Sequence, residues 1–149
     1  STKLNRANLD ELYSARINPI TTFPEAQGCV IFGQKTLQAA QTALDRINVR
    51  RLLIFIKREV SRISNNLLFD QNLPATWNRF LGQVVPFLED VKTQLGLSDF
   101  KVVLDESTTT PDLIDRNIMY AKIFLKPARA IEFIAVDFVI TRTGAGFDD

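Results

Sequence analysis

The chain contains no histidine, so Ser-His-Asp and Cys-His catalysis, imidazole acid–base chemistry and histidine-ligated metals are all disfavoured together. A single cysteine, Cys29, excludes an internal disulfide, and the lack of a stapling framework points to a reducing compartment. Net charge is nearly absent as well. Eighteen basic and 17 acidic residues leave +1, too little for a global field that would attract nucleic acid or an anionic membrane. No apolar run at the start resembles a signal peptide or a transmembrane helix, which leads to the expectation of a protein that stays in the cytoplasm where it is made. There is no internal repeat, no low-complexity tract and no nucleotide motif. Gly33, Gly144 and Gly146 are too scattered for a phosphate-binding loop.

What remains is a hydrophobic fraction of 46% in 149 residues, enough for one domain with a proper core, spanning 1–149. Asn8 is positioned to cap a short first helix, with Glu11 as its box partner and Leu9, Leu12, Tyr13 and Ile17 on one side. Asn18-Pro19 ends that helix, and 21–28 reads as a loop. Residues 28–33 read as a short strand bracketed by glycines, with Cys29 a small buried hydrophobe rather than a reactive thiol.

Two long helices follow. Val49, Leu52, Leu53, Ile56, Val60, Ile63 and Leu67 keep a 3.6-residue period and predict a helix over about 45–69. Arg46, Arg50 and Lys57 make one basic stripe beside its apolar arc, and Arg51, Arg58 and Arg62 a second. Ile54 and Phe55 point to sides that a solvated helix keeps polar, so this helix is expected to be covered on more than one side. The stripes could be a solvated face, a charged contact to another subunit or a nucleic-acid surface. No RNA-binding aromatic motif supports the last. The second helix is predicted over 74–95, with Trp77, Phe80, Leu81, Val84, Val85, Leu88, Val91 and Leu95 inward. A kink is expected at Pro86, and Gly96 as the cap.

Strands are predicted over 100–105, 118–125 and 131–141, with a turn or short helical piece at 111–115. The fold class is therefore α+β: a small mixed sheet with two long helices packed on one face. The acidic group Asp105, Glu106, Asp112 and Asp115 reads as a solvated loop plus a cap, and Ser107 to Thr110 lack any adjacent base. No catalytic, cofactor or metal residue is assigned. The last strand is apolar on both faces, with Ile134, Val136, Phe138 and Ile140 on one and Ile131, Phe133, Ala135 and Val139 on the other. Asp137 interrupts the second face and is expected near the sheet margin or beside a basic partner, either Arg129 or a basic residue of a neighbouring subunit. Lys126, Pro127 and Arg129 read as a polar link before the strand, 126–149 as linker and arm, and Gly144 to Gly146 as mobile or a hinge. Because it is terminal, such a strand can be supplied to a neighbouring chain.

Four blocks, LYSARINPI at 12–20, VIFGQKTL at 30–37, LDRINVRRLLIFI at 44–56 and LKPARAIEFIAVDFVI at 125–140, resemble the C-terminal domain of contractile tail sheath proteins, most closely those of T4-like myoviruses. Sheaths of that family are several times longer, so the chain resembles a C-terminal piece or a minimal version. The resemblance implies a structural, non-enzymatic subunit that stacks in hexameric rings around a tail tube and contracts. It implies a terminal strand exchanged between subunits over 131–141 and residence in the virion tail, with host cytoplasm during assembly. Implied partners are further copies of itself, the tail tube protein, and baseplate and tail terminator proteins, with no direct nucleic acid and no membrane insertion. Some of the six basic helix residues would face acidic tube or sheath surfaces. The alternatives to this reading are a small cytoplasmic α+β binding module, with a basic helix for nucleic acid, and an enzyme.

Overall fold

Asn5, not Asn8, starts the first helix in the computed structural model, which describes residues 3–24, 28–94, 96–128, 134–141 and 144–148. The Asn5 side-chain oxygen accepts the backbone N–H of Asn8 at 2.8 Å, so α1 runs from Arg6 to Ser14 and places Asn8 inside it. The two asparagines are three residues apart, and the side chain of the earlier one satisfies the orphan backbone N–H of the later. Arg16 then turns the chain at a φ of 62°. The segment read as a loop includes a strand, β1 (Ile20–Thr22), which pairs antiparallel with β2 (Cys29–Ile31). Three-residue strands fall below the length at which alternation is readable. Cys29 is exposed rather than buried, since the outward face of this ribbon carries it.

The chain divides into two compact units, 1–51 and 52–149. Helix α2 (Ile47–Asn65) begins in the first and continues into the second. It is shorter at both ends than the period suggested. At its start, Arg46 is held in an isolated bridge to Lys35, and residues 66–69 form turns.

In the second unit α2 buries Leu53, Ile56, Val60 and Ile63, and α3 (Pro74–Thr93) buries Trp77, Phe80, Val84, Leu88 and Val91. Helix α3 continues without interruption through Pro86, which lies on its exposed side. Its cap is Gln94, not Gly96, and Leu95 lies outside the residues the structure describes. Gly96 is required for a different reason: a Cβ there would meet Val91 at 3.1 Å and Leu52 at 3.3 Å.

The sheet is antiparallel throughout rather than mixed, in the order β3 (Leu97–Val103), β4 (Met119–Pro127), β5 (Ile134–Thr141), β6 (Gly144–Asp148). A short helix, α4 (Pro111–Asp115), precedes β4. Lys126 and Pro127, expected in a link, are the last residues of β4 and pair with Asp99 and Leu97 across a bulge. A strand-end proline forfeits no interior ladder bond, and its carbonyl accepts from the Ser98 hydroxyl at 3.2 Å. β6 replaces the mobile tail expected at 144–146, and its pairing with β5 supplies the main-chain bonds that its small side chains cannot.

Candidate functional site

The face of β5 that carries Val136, Phe138 and Ile140 is buried, as its alternation predicts, with Ile134 half-buried beside them. The Phe138 ring stacks on Phe80 of α3 at 5.7 Å and meets Phe147 of β6 at 4.8 Å. The other face is only half covered, with Ala135 exposed. Asp137 lies there in mid-sheet rather than at a margin, with Lys122 opposite it on β4. That register places a base beside the carboxylate on a face near water, where the pair adds little to stability. Ile131, Phe133 and Arg129 fall outside the described residues. Within one chain, β5 pairs with β4 over 134–140 and with β6 over 137–141.

The basic helix residues do not form two equivalent stripes. Arg46 precedes the helix, and its guanidinium donates to the Tyr13 hydroxyl at 3.5 Å. That hydrogen bond, with the Lys35 and Arg46 charges, holds the Tyr13 phenol below its usual pKa range. Arg62 is paired with Glu59 at 3.0 Å. The Lys57 Nζ lies 5.2 Å from the centre of the Phe147 ring. Arg50, Arg51 and Arg58 are exposed and make no ion pair among the described residues. Beside them Ile54 and Phe55 are 54% and 48% exposed, although Phe55 reaches the Phe87 ring at 5.8 Å. The exposed face of α2 is thus cationic and apolar at once.

Several structurally decisive residues carried no obvious signal. The Arg16 guanidinium donates to the backbone oxygens of Thr36, Gln38 and Ala39. Asn18 clasps Lys35 from both sides, its amide donating to the carbonyl at 2.8 Å and its oxygen accepting the N–H at 3.0 Å. Gly33, at a φ of 140°, passes so close that a Cβ would lie 2.5 Å from the Asn18 oxygen. Thr109 is fully buried, and its hydroxyl donates to the Tyr120 carbonyl and accepts the Tyr120 N–H. Asp105, read as a solvated acid, accepts from the Ser107 hydroxyl and backbone, which lowers its pKa. These are turn-fixing bonds rather than chemistry.

Among the described residues no group of three His, Cys, Asp or Glu is placed to hold a metal, and no helix is long and apolar enough to cross a membrane. A shallow cleft of about 470 Å³ in the first unit, bordered by Lys3, Leu4, Ile20, Thr21 and Cys29, has no acid–base pair among those residues.

The chain is 40% identical over 144 residues to the tail sheath protein of Vibrio phage KVP40, covering 97% of this chain and 21% of that protein. It is 38% identical to the tail sheath protein of Enterobacteria phage T4, covering 97% and 22%. The chain thus spans about a fifth of the length of these curated relatives. Among solved structures it superposes on the sheath complex of the PVC extracellular contractile injection system in its contracted state. There the TM-score is 0.78 and the identity 26%, over 90% of this chain and 40% of that one. The model of the phage tail sheath C-terminal domain matches residues 39–141, which take in α2, α3 and the sheet through β5. On these grounds the chain belongs to the phage tail sheath C-terminal domain family.

Proposed function

We propose that this chain acts as a structural subunit of a contractile sheath, polymerising around a tail tube and contracting to drive it through a host envelope. The observation that carries the reading is the match of nearly the whole chain to proteins named for the sheath, supported by its superposition on a contracted sheath. Residues 1–149 are read as a single C-terminal sheath domain, non-enzymatic, located in the virion tail after assembly in host cytoplasm. Its partners are further copies of itself in stacked hexameric rings, the tube protein, and baseplate and terminator proteins. The nucleic-acid module is not favoured, because the relatives are sheath proteins and the exposed cationic face of α2 is half apolar.

Subunits are coupled, in this reading, by exchange of the terminal strand. The apolar register that seats β5 against β4 of its own chain would seat it equally against β4 of a neighbour, because swapped contacts are the same contacts. Lys126 and Pro127 remain with the acceptor sheet, and any crossing between chains starts beyond them. Arg50, Arg51 and Arg58 meet acidic groups on a partner, steering association more than adding stability.

Electron microscopy and sedimentation of the whole chain test the reading. Ordered rings or tubes are expected, and deletion of 130–149, which removes β5 and β6, should abolish them. Tubes of undiminished order from the truncated chain would rule out strand coupling. A strictly monomeric whole chain at high concentration would remove self-assembly as a property of these residues. Reversal of charge at Arg50, Arg51 and Arg58 together should weaken association and flatten its salt dependence.

A further inference from the structure

β6 is the least anchored strand of its sheet. Gly144, Ala145 and Gly146 bring almost no side chain to the contact, and of the strand's side chains only Phe147 is large. Its ring rests on Phe138 at 4.8 Å, with the Lys57 ammonium 5.2 Å from its centre. β4, by contrast, holds β5 through a longer ladder in which Ala121, Ile123 and Leu125 are almost completely buried. The β5 edge beneath β6 flanks the apolar stripe Val136, Phe138 and Ile140. Stripped of β6, that edge would present unpaired N–H and C=O groups beside buried hydrophobic side chains, the surface that recruits another strand.

The geometry points to β6 as a built-in cap: the chain covers its own strand-accepting edge with a displaceable segment latched by Phe147, and a strand of a second copy takes the edge when the cap lifts. A second copy is the occupant because the reading of the chain as a self-assembling sheath subunit, on which this inference rests, makes further copies its principal neighbours. The cap gives the isolated chain a closed sheet and withholds the edge until a neighbour competes for it. Lys57 helps set the strength of the latch, since a cation over a ring face attracts it and α2 carries that cation directly to the anchor.

Two variants test this. Phe147→Ala loosens the latch. Val139→Cys with Gly146→Cys locks it, because these residues are cross-strand partners on the face away from the aromatic stack. A Cβ at Gly146 meets nothing within 4 Å, and Cys29→Ser leaves only the engineered pair. Hydrogen exchange of the β5 amides should quicken about tenfold or more in Phe147→Ala, as expected when an edge strand loses its one large anchor. Assembly followed by light scattering should be faster in Phe147→Ala, blocked in the oxidised lock and restored on reduction. Equal assembly by oxidised and reduced forms, or unchanged exchange in Phe147→Ala, overturns the cap. If no form assembles, the wild type included, the sheath reading and the second-copy occupant fall together. The exchange measurement still decides whether β6 is a latch.

Discussion

The two units of the chain are held together by different physics. Every buried hydrophobic side chain among the described residues lies at Leu53 or beyond, in the second unit. Its core draws on α2, α3 and the sheet, with Phe80, Val84, Leu88, Ala121, Ile123 and Phe138 at zero exposure and Phe80 of α3 stacked on Phe138 of β5. Among its described residues the first unit buries only Pro19 and Thr21, and it turns Ile20, Ile31 and Leu37 outward, Leu37 at 88% exposure. What fixes it instead is a set of side chains bonded to backbone: Arg16 to three carbonyls, Asn18 to both polar groups of Lys35, and Lys35 to the Tyr13 carbonyl and over its ring. Burial is worth about 25 cal/mol per Å² and is cooperative, whereas each exposed polar bond nets about 1 kcal/mol. The second unit should therefore unfold as a body and the first should loosen piecemeal.

The largest expected effect that would break this comparison comes from Phe138→Asp. A carboxylate between Phe80 and Phe147 should cost more than about 4 kcal/mol and abolish the cooperative melt. Near-ultraviolet circular dichroism should lose its signal, and retention of a sharp transition would show that the sheet is not the cooperative element. Leu88→Ala should cost about 2–5 kcal/mol by calorimetry, while Ile20→Ala, at an exposed site of the first unit, should stay within about 0.5 kcal/mol. Similar costs at the two sites would erase the distinction between the units.

Asn18→Ala sharpens the comparison from the other side. Losing both bonds to Lys35 should cost about 1–2 kcal/mol, visible as faster exchange near Lys35 with little change in the main melt. Gly33→Ala should act on the same clasp, and the double substitution should be less than additive. The smallest effect concerns Asp105. Its carboxyl is lowered by Ser107, so its contribution is fully present above the ordinary carboxylate value near 3.8 and disappears as pH falls through the lower folded value. An acid titration followed by NMR should show the turn at 105–109 loosening only below pH 3.8, and Asp105→Asn should remove that dependence.

Legibility in the sequence follows the same division. The apolar periods of α2, α3 and β5 could be read because each element buries one continuous stripe, and the reading gave their buried faces nearly residue for residue. The first unit resisted because polar bonds leave no period: Asn5 and Asn8 look alike as caps, and β1 is too short to alternate. β6 was missed for a related reason, since two glycines and an alanine mask the Phe147 anchor that makes it a strand. Of the candidate site, the alternation of β5 was visible, and the surroundings of the basic residues were not. Helical geometry cannot reveal that Arg46 is drawn off to Tyr13, nor that Lys57 lies near an aromatic ring.

The hairpin formed by β5 and β6 also has a mechanical meaning. The strands are antiparallel, with Asp148 opposite Asp137 and Phe147 opposite Phe138 at the open end of the pair. A pull applied beyond Asp148 loads these rungs one after another, as a zipper is opened, and does not shear the whole ladder at once. The aromatic rung is the second to be loaded. Beyond it the force meets only Gly146, Ala145 and Gly144, so resistance is concentrated at the start of the peel and falls away once Phe147 leaves its seat. A strand built in this way resists small fluctuations and gives way abruptly under directed load.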